Sequence, residues 1–236
     1  MPNKEPRMDM TTMIPAWLTP LAWTYVLASV LTAVFLTYIV AARRPRSALD
    51  WVWPLSALFL GPAALAPYAR WGRAPGSTPR SAGAPFAVAL LSGAAASTIA
   101  HLIGVPVVFG AGWTIAGQAL WAVALFILIL ATALLFLAEY ATSAGHRSSV
   151  LASPSAGTLL LATFVTVLAF DIGMVGWMLY LHTNQLMAPI TDVVFVFQMQ
   201  VGMILGMLTA APVVAWFTSR RTLAVAVHQM APTTGR

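Results

Sequence analysis

Asp171 stands inside an apolar run, TLLLATFVTVLAFDIGMVGWMLYL, that contains no other charged residue. A carboxyl at bilayer depth costs about 3 kcal/mol on insertion scales, so it needs a partner, a proton or water. Its chemistry would be proton or cation handling; the structural alternative is a protonated, hydrogen-bonded helix contact. Helical spacing places Met174 and Met178 on the face of Asp171, three and seven residues further on. One helix would thus offer a carboxyl and two thioethers to its neighbour. Gly173 and Gly176 on the same run are candidates for close helix packing.

A second candidate is His101, in the middle of an apolar run with Ser97 and Thr98 one turn before it. Imidazole titrates near neutral pH and ligates metals, but a metal site needs several convergent ligands, and a lone intramembrane His also serves as an interhelical hydrogen-bonding group. Near the end of the chain two stripes run side by side at four-residue spacing, Gln198, Gly202 and Gly206 on one and Met199, Met203 and Met207 on the next. Gly202 to Gly206 is a GxxxG pattern, which lets helix backbones approach closely. Methionine stripes ordinarily supply adaptable packing. Thioethers also suit soft cations such as Cu(I), and Met174, Met178, Met199, Met203 and Met207 could converge with His101. Gln200 completes the set of intramembrane polar candidates.

The elements that must carry these residues are membrane helices. The chain has 236 residues, 60% hydrophobic and 8% charged, with a mean hydropathy of +0.84. A soluble domain carries about a quarter charged residues. Apolar segments fall at about Ala16 to Val40, Trp51 to Arg73, Phe86 to Phe109, Trp113 to Leu137, Thr158 to Leu181 and Val193 to Phe217. The expectation is an all-α, polytopic membrane protein of about six transmembrane helices. It divides into an N-terminal tail (1–15), one transmembrane helical domain (16–218) and a C-terminal tail (219–236). The first apolar segment exceeds a signal-peptide core and is expected to be retained. The third and fourth segments, joined by GAG, should form a tight antiparallel hairpin.

Net charge is +6, from 12 Lys+Arg against 6 Asp+Glu. The basic residues cluster at the ends of apolar segments, so they speak for headgroups and orientation, with no nucleic-acid partner. The bilayer is the partner expected, together with another membrane protein or a second copy. With six crossings both termini would be cytoplasmic in an inner-membrane protein, but Arg43, Arg44 and Arg46 would then lie outside. Pro54, Pro62 and Pro67 in the second segment keep a kinked or re-entrant alternative open.

There is no Cys, which removes thiolate metal sites, disulfides and Cys nucleophiles. No nucleophile elbow, phosphate loop, HExxH or carboxylate pair is present, and Lys4 is the only lysine. The chain is expected not to be an enzyme. No cofactor or particular metal is indicated.

From Phe170 onward, FDIGMVGWMLYL and FVFQMQVGMILGMLTAAPVVAWFTSRR resemble the carboxy-terminal half of a bacterial integral-membrane family of unknown function, domain-of-unknown-function family 4396. The likeness rests on Asp171, Gly173, Met174, Gly176, Trp177, Met178, Met199, Gln200, Gly202, Met203, Gly206, Thr209, Ala210, Pro212 and Val213. Trp53, Pro54, Leu55, Gly61, Pro62 and Tyr68 resemble that family's second helix, which implies a span. Many relatives carry a His-Cys and Gly-Cys cluster in the third helix, whereas this chain reads LLSGAAASTIAHLIG, leaving His101 as the remnant. The resemblance implies a fold and a membrane location, with no activity attached. Two functions follow as expectations, small-solute or metal-ion transport around Asp171, Gln200 and the methionines, or an assembly subunit docking through its GxxxG and methionine faces.

Overall fold

The computed structural model describes residues 14–43, 48–72, 84–145 and 155–230. These form α1 (Leu18–Ala42), α2 (Val52–Gly72), α3 (Ala84–Ala111), α4 (Ala119–Gly145), α5 (Ala156–Thr183) and α6 (Val193–Met230), with a 3-10 turn at Ala48–Trp51 before α2. All six contain stretches long and apolar enough to cross a membrane. The protein is a multi-pass, all-helical membrane protein. Large apolar side chains such as Leu31, Tyr38, Ile129, Leu137 and Ile172 point outward, as the bilayer solvent requires. Hydroxyls within the apolar stretches bond back to their own helix, Ser29 to the Tyr25 carbonyl at 2.8 Å and Thr98 to the Ala94 carbonyl at 2.8 Å.

Packing clusters fix which end of each helix meets which. Leu18 and Ala22, at the start of α1, pack with Leu181, Ala188 and Val194, at the junction of α5 and α6. Ala33, Leu36 and Val40, near the end of α1, pack with Val52 and Trp53 of α2 and with Leu91 of α3. The start of α1 therefore lies at the end of the bundle that holds the α3–α4 and α5–α6 connections, and α6 finishes at the other.

Residues of α2 do not lie along one axis. A straight helix of 21 residues would separate its ends by about 30 Å, yet the Trp53 and Tyr68 rings sit 5.7 Å apart and a Cβ on Gly72 would lie 3.1 Å from the Trp53 indole. The α-helix runs only over Val52–Leu60. Gly61 then takes φ 57, ψ −141, a conformation that favours glycine, and a 3-10 stretch, one α turn and a π turn lead back to Gly72. Carbonyls at the reversal are captured from other helices, that of Phe59 by the Tyr25 hydroxyl at 2.8 Å and that of Leu58 by the Gln200 amide at 2.6 Å.

The α3–α4 joint is longer than expected. Gly112, at φ 67, ends α3 by the pair of bonds Gly112 N–H to the Phe109 carbonyl and Trp113 N–H to the Val108 carbonyl. Ile115 and Gln118 then exchange backbone hydrogen bonds around Ala116 and Gly117, so α4 starts at Ala119 and not at Trp113. The most extensive contact is α5 on α6. Gly206 meets the Phe170 backbone, where a Cβ would lie 2.7 Å from the carbonyl oxygen, while Gly202 lies under Trp177 and Met174. From α6 the Thr209 hydroxyl donates to the Ala169 carbonyl at 2.7 Å, and from α5 the Trp177 indole donates to the Gln198 carbonyl at 2.9 Å. The GxxxG face is thus covered by the chain's own α5.

Candidate functional site

Asp171 is 7% exposed, and its Oδ2 has no hydrogen-bond partner among the described residues. It lines a cavity of about 210 Å³ enclosed by α3, α4, α5 and α6. Because α5 repeats every 3.6 residues, the stripe that carries Asp171 also brings Met174 and Met178 to this cavity, and α6 adds Met199. His101 faces it from α3. Its Nδ1 lies 2.7 Å from the Ser97 carbonyl, an acceptor, so Nδ1 carries a proton, and in the neutral form of the ring Nε2 is a lone pair. Asp171 and His101 therefore share a cavity, and no hydrogen bond joins them.

The cavity wall offers Lewis bases, namely a carboxylate oxygen, thioether sulfurs and an imidazole nitrogen. Among the described residues no three His, Cys, Asp or Glu side chains converge on a metal position. The donor set is accordingly dominated by sulfur of the thioether kind, which suits a soft monovalent cation better than zinc. Toward the mouth stand Gln118, His182 and Met187, at the α3–α4 and α5–α6 connections. Sequence reasoning passed over all three. His182 extends the 171, 174, 178 stripe by one more turn, so the periodicity could have found it. Met187 and Gln118 sit in connections, where no helical period applies.

Other candidates have different places. Met203 lines a second space, a groove of about 400 Å³ between α1, α2, α3 and α6 that shares His101, Val105, Phe195 and Met199 with the first cavity. Met207 packs against apolar neighbours in the clusters around Phe59 and Trp53 and lines neither space, so the five methionines do not converge as one set. Gln198 is fully engaged on the α5–α6 connection, accepting from Ala188 N–H at 3.1 Å and donating to the Leu186 carbonyl at 2.8 Å. Gln200 ties down the reversal of α2 through Leu58 and leaves its Oε1 without a partner among the described residues. Gly173 does pack closely, against Leu205 and Thr209, whereas Gly176 has open space around it and is no packing residue.

No curated protein and no solved structure matches the chain. A family model described as a domain of unknown function (DUF4396) matches residues 84–222. That stretch runs from the start of α3 to the basic end of the α6 span and holds every residue lining the Asp171 cavity; α2, whose prolines and glycine resemble the family's second helix, lies outside it. With more than half its length in the match, the chain belongs to the DUF4396 family.

Proposed function

We propose that this protein handles a soft monovalent cation within the membrane, holding it in the cavity of Asp171, His101, Met174, Met178 and Met199 as a step in transport. One observation carries the reading: a buried carboxyl with an oxygen that has no partner among the described residues lines a cavity together with the thioethers of Met174, Met178 and Met199 and the ring of His101. An isolated carboxylate is costly in a low-dielectric interior, and a bound monovalent cation neutralises it. Thioethers select for Cu(I) or Ag(I) over Na⁺ or Mg²⁺, which prefer oxygen ligands. Docking through the glycine face loses its support, because α5 covers that face. No reaction is proposed for the site.

The membrane is proposed to be the bacterial inner membrane, with α2 entering and leaving by the same face and the chain crossing five times. That arrangement sends Arg43, Arg44, Arg46, Arg70, Arg73, Arg80, Arg147, Arg220 and Arg221 to one side, which the positive-inside rule makes cytoplasmic. It removes the anomaly of Arg43, Arg44 and Arg46 outside. The N-terminus is then external, and the Asp171 cavity opens to the exterior past His182 and Gln118.

The test is the Ag(I) and Cu(I) content of purified protein under reducing conditions. Wild type should hold about one equivalent, Met174→Leu/Met178→Leu should hold none, and Asp171→Asn should bind at least about tenfold more weakly. A wild-type protein that takes up neither metal overturns the reading.

A further inference from the structure

The groove between α1, α2, α3 and α6 differs from the Asp171 cavity in its walls and its opening. Its lips include Val30, Leu102 and Val196, all exposed on the outside of the bundle, where they face the bilayer. A ligand therefore reaches it from the lipid phase. The polar atoms within it are unbalanced. Thr98 gives its hydroxyl hydrogen to the Ala94 carbonyl at 2.8 Å and keeps lone pairs only. His101 binds Ser97 through Nδ1 and in its neutral form offers Nε2 as an acceptor. Pro106 has no N–H, so the Leu102 carbonyl one turn earlier loses its helical donor. Gln200, only 6% exposed, must turn its amide nitrogen to the Leu58 carbonyl, which fixes Oε1 as the remaining end, and that oxygen has no partner among the described residues. Among the side chains that line the groove, the second amide hydrogen of Gln200 is the donor left over, and the other polar atoms are acceptors.

From this placement we infer that the groove is a binding site for a hydroxyl-headed lipophile, a quinol or a long-chain alcohol, whose hydroxyl donates to acceptors of the Thr98, His101 and Gln200 set while its chain lies along Val26, Val30 and Leu102. A volume of about 400 Å³ holds a ring or short headgroup with the first part of a chain. A molecule of the same shape with acceptors only would leave the groove's acceptors unpaired and add its own, which costs about tenfold or more in affinity. The site adjoins the proposed cation cavity through His101 and Met199, yet Thr98 and Gln200 belong to the groove alone.

The experiment is native mass spectrometry of the detergent-purified chain with two matched pairs, decylhydroquinone against its oxidised quinone and 1-dodecanol against dodecyl methyl ether. The hydroxyl member should be retained at least about tenfold better in one or both pairs, and the pair that shows the preference identifies the source as quinol or alcohol. Gln200→Leu and Thr98→Val, each checked by its melting curve for an intact fold, should reduce that preference, with Thr98→Val covering the case in which loss of the Leu58 tie unfolds Gln200→Leu. Met174→Leu/Met178→Leu should lose silver and keep the hydroxyl preference, so failure of the cation reading and of this one are separable. Equal retention within both pairs overturns the inference, as does a preference that survives in a folded Gln200→Leu and in Thr98→Val.

Discussion

Two of the places where this molecule puts polar atoms at membrane depth are resolved in opposite ways. At the reversal of α2 the carbonyls of Leu58 and Phe59 are each met by a donor brought from another helix, Gln200 and Tyr25. At the middle of α5 the Oδ2 of Asp171 is met by no donor among the described residues, and the side chain lines a cavity it shares with three methionine thioethers and His101. The first is the pattern of a structural device, since irregular backbone survives in a bilayer only when its polar groups are satisfied within the protein. The second leaves free energy for a ligand to recover. The difference separates Tyr25, whose donor is spent inside the fold, from Asp171, whose carboxyl oxygen is left over, although both read alike as polar letters in apolar runs.

The comparison depends on α2 turning back, and the largest expected effect tests that. Since the chain lacks Cys, single cysteines report sidedness without a background. With five crossings, Ala16→Cys and Asn184→Cys react with a membrane-impermeant maleimide on intact cells, and Ser219→Cys reacts only after permeabilisation. If Ala16→Cys and Ser219→Cys react together, α2 crosses fully and the reversal is not what the membrane sees.

The sequence already held part of this. Apolar length and composition gave six hydrophobic helices, and the 3.6-residue period correctly aligned Asp171, Met174 and Met178 on one cavity face. The three prolines of α2 and the misplaced Arg43, Arg44 and Arg46 were visible as tension against a straight span. What the residues could not show by themselves was the capture of the turn's carbonyls, because Tyr25 and Gln200 lie 34 and 142 positions from their partners. Periodicity within one helix also could not say which of two stripes on α6 would face α5. The glycine stripe does, and the methionine stripe is divided between the cavity, the groove and the apolar core.

The α5–α6 contact fixes Asp171 relative to α6, so breaking it should be the next largest effect. Gly206→Leu places a Cβ 2.7 Å from the Phe170 carbonyl and a branched side chain beyond it, against backbone that cannot step aside. The expected cost is about 3 kcal/mol, seen as loss of monodisperse protein in size-exclusion chromatography. Gly176→Leu, where a Cβ has open space around it, should leave the elution profile unchanged.

The smallest effects sharpen the contrast most, because the two sites should respond with opposite signs. Tyr25→Phe removes the donor to the Phe59 carbonyl and leaves a membrane-depth acceptor unpaired, so the melting temperature should fall by the equivalent of about 1 kcal/mol while Ag(I) uptake stays as in wild type. Asp171→Leu removes an acceptor that has no partner and fills the space with apolar volume, so the metal-free protein should gain about 1 kcal/mol or more and lose Ag(I) uptake altogether. A stabilised but inert Asp171→Leu beside a destabilised but active Tyr25→Phe is the outcome that the contrast requires. If Asp171→Leu instead lowers the melting temperature as Tyr25→Phe does, the carboxyl is a packing contact like the others and the cavity has no claim on a cation.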